Sequence, residues 1–323
     1  MLTPVGRIGI DRTGWASVTV HLHRLAASAT LALGILGLVA ASTPAAAVGD
    51  PFERTAVSSH SSPPSFDSYV ALGDSYTAGP LIPDLDVAAG CFRSTNNYPA
   101  LLAAQLQIPN IVDVSCSGAD TTNMTSPQVT PLGVVPAQFD ALTADTELVT
   151  VSIGGNDFSV FGRLVTVCPA VRAEDPDGAP CRRYFHTDSG DLLRGYLRQT
   201  RDLVDAVVTG IRDRSPEARI IVIGYPRIAP PHGTCPDILP FADGDYRYVD
   251  GIERMLNDTL RDAAQSHHVK YINVYRASRN HDACSDDPWV NGQFTDPNAA
   301  QSYHPFEAEM VAVAGLVADA LGD

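Results

Sequence analysis

Residues 69–76 read YVALGDSY, a short apolar run that gives way at once to a glycine and polar side chains. Four further runs, rich in β-branched residues, lie at residues 111–114, 148–153, 219–223 and 269–274. Such runs predict strands that are buried in a parallel sheet. Helical patterns lie between and after them, at residues 98–107, 191–214, 249–267 and 305–321. This alternation predicts an α/β fold in which helices cover both faces of a five-stranded parallel sheet.

The clearest of the predicted helices spans residues 191–214. Its apolar side chains recur at a spacing of about 3.6 residues, as on one face of an amphipathic helix, and comprise Leu193, Leu197, Leu203, Val207 and Ile211. Pro216 follows, which predicts that the helix has ended by that point. We expect this stripe to pack against the sheet.

Residues 1–47 have the pattern of a secretory signal peptide. Arg7, Arg12 and Arg24 precede an apolar run at residues 25–41, and alanines at residues 45–47 form an A-x-A cleavage site. A transmembrane anchor is disfavoured because the run is short for a bilayer and contains glycines. Residues 48–65 lack periodicity and predict a disordered lead-in. We therefore expect a secreted protein with one domain at residues 66–323 and no stable membrane anchor after cleavage.

The chain has 37 acidic and 22 basic side chains, which gives a net charge of −15. This balance disfavours nucleic acid as a partner, because phosphate backbones are bound by clustered lysine and arginine. Hydrophobic residues make up 45% of the chain and charged residues 18%, so a chain that is disordered throughout is excluded. The sequence does not indicate an oligomeric state.

All 6 cysteines lie beyond residue 47. In an exported protein an even number of cysteines indicates disulfides, although the sequence allows many connectivities. Our working hypothesis is nearest-neighbour pairing, which joins Cys91 to Cys116, Cys168 to Cys181 and Cys235 to Cys284. No C-x-x-C motif occurs and no histidine lies at zinc-ligand spacing from a cysteine, so we predict no metal site.

Three predicted strands are followed by loops of glycine and polar residues, at residues 73–76, 115–119 and 154–157. In a parallel α/β sheet the ligand crevice lies beyond the carboxyl ends of the strands, where such loops meet. Ser75 follows its strand directly and can present a nucleophilic hydroxyl there. The backbone N–H of Gly118 and the side-chain amide of Asn156 can form an oxyanion hole. Taken singly, each of these residues also has an N-cap or turn explanation.

A serine nucleophile needs a general base, and His304 is the candidate. It stands in the tetrapeptide SYHP, residues 302–305, directly before the last predicted helix, from where it can reach the same crevice. The other histidines lie within residues 1–65, at a helix end or in loops between cysteines, where surface or helix-end roles account for them.

In order and spacing, four sequence blocks resemble those of the SGNH (GDSL-type) hydrolases: Gly73-Asp74-Ser75-Tyr76, Gly118, Gly154-Gly155-Asn156-Asp157 and His304-Pro305. The resemblance covers residues 66–321 and implies a three-layer, flavodoxin-like fold. It also implies that Ser75 is the nucleophile and His304 the base. The implied oxyanion hole comprises the Ser75 and Gly118 N–H groups and the Asn156 amide. No metal or organic cofactor is implied, and the leader, the cysteines and the CSGA stretch at residues 116–119 are similar to the secreted bacterial esterase and lipase branch.

The chain departs from the family pattern at Gln301, where many members have an aspartate that orients the histidine. A neutral amide cannot stabilise an imidazolium as a carboxylate does. In the secreted branch a main-chain carbonyl takes the place of the acid, which here implies the carbonyl of Gln301 or of Ser302. Asp296 is the alternative orienting group.

The resemblance implies hydrolysis of carboxylic esters, a small-molecule or lipid ester being the partner and acylglycerols or related lipid esters the first expectation. Four apolar side chains that follow Asn156 can line an acyl site, although they also fit an ordinary helix core face: Phe158, Phe161, Leu164 and Val165. Three alternatives stay open, namely a carbohydrate acetyl esterase, an acyltransferase that uses the same site, and a non-catalytic envelope-binding module on the same fold.

Overall fold

The computed structural model describes residues 65–87 and 90–322. Its strands, in chain order, are β1 (Ser68–Gly73), β2 (Leu85–Asp86), β3 (Arg93–Ser94), β4 (Asn110–Asp113), β5 (Gln128–Thr130), β6 (Gly133–Val135), β7 (Leu148–Ser152), β8 (His186–Thr187), β9 (Gly190–Asp191), β10 (Arg219–Ile223) and β11 (Lys270–Ile272). Its α-helices are α1 (Ser75–Ala78), α2 (Tyr98–Leu106), α3 (Val160–Val171), α4 (Pro180–Phe185), α5 (Leu192–Arg214), α6 (Tyr246–Ser266), α7 (Val274–Ala277) and α8 (Glu307–Gly322). The predicted signal peptide at residues 1–47, and the predicted lead-in except for its last residue, lie outside the described residues.

Five strands form a single parallel sheet in the order β11-β10-β7-β1-β4. Val70 of β1 lies opposite Val112 of β4 on one side and Val149 of β7 on the other. The second strand of this sheet along the chain, β4, lies on one side of the first, β1. The next three, β7, β10 and β11, follow one after another on the other side. This is the flavodoxin-like doubly wound order. The structure confirms the predicted α/β fold and its five-stranded parallel sheet.

Alternate residues of the central strands face two different layers of helices. Val70 and Leu72 of β1 belong to a core shared with α3, α5 and α6, whereas Tyr69 and Ala71 belong to a second core shared with α2 and α8. Because both faces of these strands are buried, the strands read as continuous apolar runs rather than as alternating patterns. The result is three layers, with the sheet in the middle.

Three local expectations are wrong. The run at residues 111–114 is predicted to be buried, but β4 forms the edge of the sheet, where Ile111 and Val112 are exposed. Leu203 is predicted to belong to the buried stripe of α5 but is exposed. The stripe runs through its neighbour Val204 instead, and consecutive residues of a helix lie about 100° apart around the axis. The last helix begins at Glu307 rather than at residue 305, since the preceding proline forms a β-bridge.

Two disulfides tie together loop segments near different strands, and the third links two helices. Cys91 and Cys116 tie the segment before β3 to the loop after β4, and Cys235 and Cys284 tie the loop after β10 to the segment after α7. The third disulfide links α3 to α4 through Cys168 and Cys181. The Cα atoms of the pairs lie 4.4, 5.7 and 4.7 Å apart, respectively. These are the pairs of the nearest-neighbour hypothesis, and two of them brace loops at the carboxyl edge of the sheet.

Candidate active site

Ser75 and His304 lie far apart in the chain but meet beyond the carboxyl end of β1. The imidazole Nε2 of His304 lies 2.8 Å from Oγ of Ser75, and both side chains are buried. Nδ1 of the same ring lies 2.8 Å from the main-chain carbonyl oxygen of Ser302. A carbonyl oxygen can only accept a hydrogen bond, so Nδ1 carries the ring hydrogen of the neutral imidazole. Nε2 is thereby left to accept the hydrogen of the Ser75 hydroxyl.

The surroundings of His304 keep its imidazole neutral. Burial lowers the pKa of His304 to about 4, and the hydrogen bond to Ser302 opposes this shift only in part. Two aromatic rings pack on the imidazole, with centroid distances of 5.4 Å for Tyr76 and 5.7 Å for Phe161. A neutral imidazole at physiological pH is the form that a general base requires.

The position of Ser75 follows from a tight turn between β1 and α1. Asp74 caps α1, because its carboxylate accepts the N–H of Tyr76 at 2.9 Å. The side-chain amide of Gln138 pairs with both the N–H and the carbonyl of Gly73, each at 2.8 Å. A Cβ at Gly73 would lie 2.2 Å from Oγ1 of Thr77, so only glycine fits there. The turn therefore delivers Ser75 as the first residue of the helix.

The loop that carries His304 is held by backbone hydrogen bonds to the segment before it. The N–H of Asn291 donates to the His304 carbonyl, and the N–H of Tyr303 donates to the Gly292 carbonyl, both at 2.9 Å. Tyr303 adopts a left-handed conformation with a φ of 61°, and its carbonyl accepts the hydroxyl of Tyr76 at 2.6 Å. Helix α1, which begins at Ser75, and the loop that carries His304 are thus hydrogen-bonded directly to each other.

The two predicted oxyanion loops are also joined. The side-chain amide of Asn156 donates to the Ala119 carbonyl at 2.9 Å, and Asp157 accepts the N–H of Thr121 at 2.9 Å. Gly118 has a φ of 81°, a left-handed conformation that favours glycine. Asn156 lines the cleft together with Ser75, whereas Gly118 is exposed and is not among the residues that line it. The side-chain amide of Asn156 uses one of its two hydrogens in the bond to the Ala119 carbonyl, and the second can be donated to a ligand.

Of the three candidate groups for orienting the imidazole, the Ser302 carbonyl is the one in contact with it. The Gln301 carbonyl accepts instead from the His304 main-chain N–H at 3.1 Å. Asp296 is exposed, and its carboxylate accepts the N–H of Asn298 at 2.9 Å. The acid alternative therefore has no contact with the imidazole.

Tyr225, on the loop after β10, is a site residue that the sequence reasoning missed. Its hydroxyl donates to the Asp74 carboxylate at 2.6 Å and accepts the N–H of Gly155 at 3.1 Å. Burial raises the pKa of Asp74 to about 7, although the hydrogen bonds from Tyr225 and Tyr76 oppose the shift. Tyr225 lies two residues beyond the end of β10. Because ligand crevices lie beyond the carboxyl ends of parallel strands, this position is the sequence signal that could have identified it.

An apolar cleft of about 650 Å³, a volume that includes its open mouth, begins at Ser75. Its walls come mainly from α3, α6 and the loop after β10, and include Val160, Phe161, Leu164, Val165, Val249, Ile252 and Leu256. Phe158 is predicted to line the acyl site, but it is not among the residues that line the cleft. Its ring stacks instead on Tyr196, with ring centroids 4.9 Å apart. Two carboxyl groups, those of Asp74 and Glu253, line the otherwise apolar walls. Burial raises the pKa of Glu253 to about 8, which favours its protonated form at neutral pH.

Within residues 65–87 and 90–322, no cluster of three or more His, Cys, Asp or Glu side chains is placed to hold a metal ion. In the same part of the chain, every helix falls short of the length and apolar character needed to span a membrane.

Several proteins that are similar to this chain in sequence are lipases. The sequence profile of the GDSL-like Lipase/Acylhydrolase family matches residues 71–308. Lipase 2 of Streptomyces coelicolor is 37% identical over 264 residues, which cover 80% of this chain and 82% of that protein. A lipase of Streptomyces rimosus is 31% identical, over 73% of this chain and 80% of its own.

The solved structures of two Streptomyces enzymes are also similar to this chain. Phospholipase A1 from Streptomyces albidoflavus superposes with a TM-score of 0.64 and 27% identity, covering 80% of this chain and 100% of its own. The extracellular lipase from Streptomyces rimosus gives a TM-score of 0.65 and 26% identity, over 78% of this chain and 99% of that one. The protein is a carboxylic ester hydrolase, and the chain belongs to the GDSL-like lipase/acylhydrolase family.

Proposed function

We propose that this protein is a secreted serine esterase or lipase that hydrolyses acylglycerols or related lipid esters through Ser75 and His304. The observation that carries the proposal is the geometry of the imidazole. Nε2 lies 2.8 Å from the Ser75 hydroxyl, and Nδ1 lies 2.8 Å from the Ser302 carbonyl. This arrangement supplies a nucleophile, its base, and a group that holds the base in the correct tautomer.

In the proposed cycle, Nε2 of His304 accepts the Ser75 proton while Oγ attacks the ester carbonyl carbon. The tetrahedral oxyanion faces the N–H groups of Ser75 and Gly118 and the free hydrogen of the Asn156 amide. When the bond to the alcohol breaks, His304 returns the proton to the leaving oxygen, and the acyl group stays on Ser75. Water then gives a proton to His304 and attacks the acyl-enzyme, which releases the acid and restores Ser75.

The preference for lipid esters is supported by the cleft. Its walls are almost entirely apolar and Ser75 is one of the residues that line it, so an acyl chain bound there could place its ester carbonyl beside the proposed nucleophile. The names of the similar proteins, lipase and phospholipase A1, agree with this substrate class. Hydrolysis rates over a series of acyl chain lengths test it, and a strong preference for acetyl esters would favour a carbohydrate acetyl esterase instead.

Secretion is supported by the leader pattern and by three disulfides, which persist in oxidising compartments. Expression with residues 1–47 in place tests it. The mature protein is expected in the medium, with a new amino terminus near residue 48. Retention of the uncleaved chain in the cells would contradict this part of the proposal.

The catalytic assignment is tested with Ser75→Ala on a soluble ester, where we expect kcat to fall by at least about 10³-fold. Ser302→Ala is the matched control, because it removes a serine hydroxyl but keeps the carbonyl that holds Nδ1, and its kcat is expected to stay within about twofold of wild type. An organophosphonate should label Ser75 covalently, which a non-catalytic binding module would not allow. Product analysis with a competing alcohol separates hydrolysis from acyl transfer.

A further inference from the structure

Strands β5 and β6 form a hairpin whose large side chains face solvent. Val129 pairs with Val134 across the hairpin, and Leu132 lies in the turn between the strands. The exposed fractions of these residues are 81% for Val129, 67% for Val134 and 63% for Leu132. The hairpin thus exposes three large apolar side chains, two of them paired directly across its strands, and a group of this kind is a candidate interaction surface.

The hairpin is also free of charge. From Thr121 to Phe139 the sequence contains no Asp, Glu, Lys or Arg, although the whole chain has a net charge of −15. A partner that relies on electrostatic attraction, such as an anionic bilayer, finds no basic side chain in this segment. An uncharged apolar patch instead matches a surface whose attraction is hydrophobic, such as the interface of an uncharged or zwitterionic lipid with water.

Both ends of the hairpin segment contact the active site. At its start, the side-chain amide of Gln128 donates to the Ser117 carbonyl at 2.9 Å, next to Gly118. At its end, the chain leads to Gln138, whose amide pairs with both backbone groups of Gly73. Gly90 packs closely beside the turn, because a Cβ at its position would lie 3.0 Å from Cβ of Leu132. The patch is therefore attached firmly to the loops beside Ser75.

We infer that the β5–β6 hairpin is an interface-docking element that inserts Val129, Leu132 and Val134 into an uncharged or zwitterionic lipid surface and thereby holds the cleft beside its substrate. The inference rests on the proposed function, because a lipid ester is delivered from such a surface. It adds a second binding site to the molecule, one that recognises the physical state of the substrate rather than its ester bond.

Vesicle binding provides the first test. In a Ser75→Ala background, which leaves the lipid intact, binding to phosphatidylcholine vesicles is measured for the triple variant Val129→Thr, Leu132→Gln, Val134→Thr. We expect the partition coefficient to fall about tenfold or more, because each change replaces apolar groups that would enter the lipid by polar ones. Val311→Thr is the matched control, since that valine is 55% exposed on α8, outside the hairpin. Its binding should equal that of the parent.

Two further measurements distinguish this inference from others. With Ser75 present, the triple variant should hydrolyse a soluble short-chain ester at the wild-type rate but an emulsified ester about tenfold more slowly. Binding should not change between low and high salt, because it does not depend on charge. The single variant Leu132→Gln, in the turn, repeats the test with the least risk to folding.

The inference is overturned if the triple variant binds vesicles and hydrolyses emulsions as well as the wild type does. It is also overturned if the hairpin changes convert a dimer to a monomer without altering vesicle binding, which would make the patch a self-association face. These results leave the proposed function untouched. That function fails separately, if Ser75→Ala still hydrolyses the soluble ester.

Discussion

The imidazole of His304 lies between a carbonyl oxygen and a hydroxyl, and neither carries a charge that would stabilise an imidazolium. Burial therefore dominates and lowers the pKa of the ring to about 4. The acid limb of kcat/KM for a soluble ester should accordingly have its midpoint near pH 4, with little change between about pH 5 and 7. A pH–rate profile checks this. A midpoint at 6.5, the ordinary histidine pKa, would contradict the environment described for the ring.

Tyr225 is expected to act as a positioning residue. Tyr225→Phe leaves the Gly155 N–H without its acceptor and removes a donor from Asp74, so both loops beside Ser75 lose a support. We expect kcat to fall about tenfold while KM changes little, because the alignment of the nucleophile changes and the apolar cleft does not. Tyr69→Phe is the matched control: it removes a buried hydroxyl that bonds Thr150 in the sheet. Equal effects of the two variants on kcat would refute a positioning role.

At the residue scale, the sequence predicts those members of the candidate site that can be recognised by their side chains. Ser75, Asn156 and His304 could be identified from their places after strands and before a helix. The Ser302 carbonyl could not be singled out from that of Gln301, because every residue has a carbonyl, and its direction depends on the left-handed backbone of Tyr303. Tyr225 was missed because a tyrosine after a strand has the same appearance as a core residue.

Among the elements, the central strands and long helices were predicted closely because their burial on both sides leaves continuous or periodic apolar patterns. The edge strand β4 was misjudged, since an apolar run does not reveal whether another element covers it. The β5–β6 hairpin was not predicted at all. Its strands are too short and too exposed to leave a pattern, and its role depends on the tertiary contact between Gln128 and Ser117.

The disulfide between Cys91 and Cys116 is expected to support catalysis as well as stability. It closes a loop with a sequence separation of 25, and its second cysteine begins the turn that carries Gly118. Replacing both cysteines by alanine should cost about 3 kcal/mol of unfolding free energy and lower kcat as well. The matched control is the Cys168 and Cys181 pair, with a separation of 13, whose removal should affect stability more than kcat. Denaturant unfolding and kinetics check both, and equal kcat values for the two variants would contradict the expectation.

For the molecule as a whole, Glu309 links stability to pH. Its side chain is buried in α8, its Oε2 has no hydrogen-bond partner among the described residues, and burial raises its pKa from 4.5 to about 8. Between these two values the folded chain retains a proton that the unfolded chain has released. The unfolding free energy should therefore fall as the pH rises through this window.

Glu309→Gln removes this linkage, so Tm should decline less between pH 5 and pH 9 than it does in the wild type, and the variant should be the more stable protein at pH 9. Glu307→Gln is the control, because it makes the same change on an exposed face two residues earlier in the helix. Thermal unfolding at several pH values measures both. If Glu309→Gln and the wild type have parallel pH dependences, the carboxyl ionises normally in the folded protein.

The meeting of Ser75 with His304 joins the first strand of the sheet to the loop before the last helix. During synthesis Ser75 therefore leaves the ribosome long before His304, and a chain that ends before residue 304 lacks the proposed general base. On the proposed mechanism, esterolysis therefore waits until the segment that carries His304 has been made and has folded against the first strand.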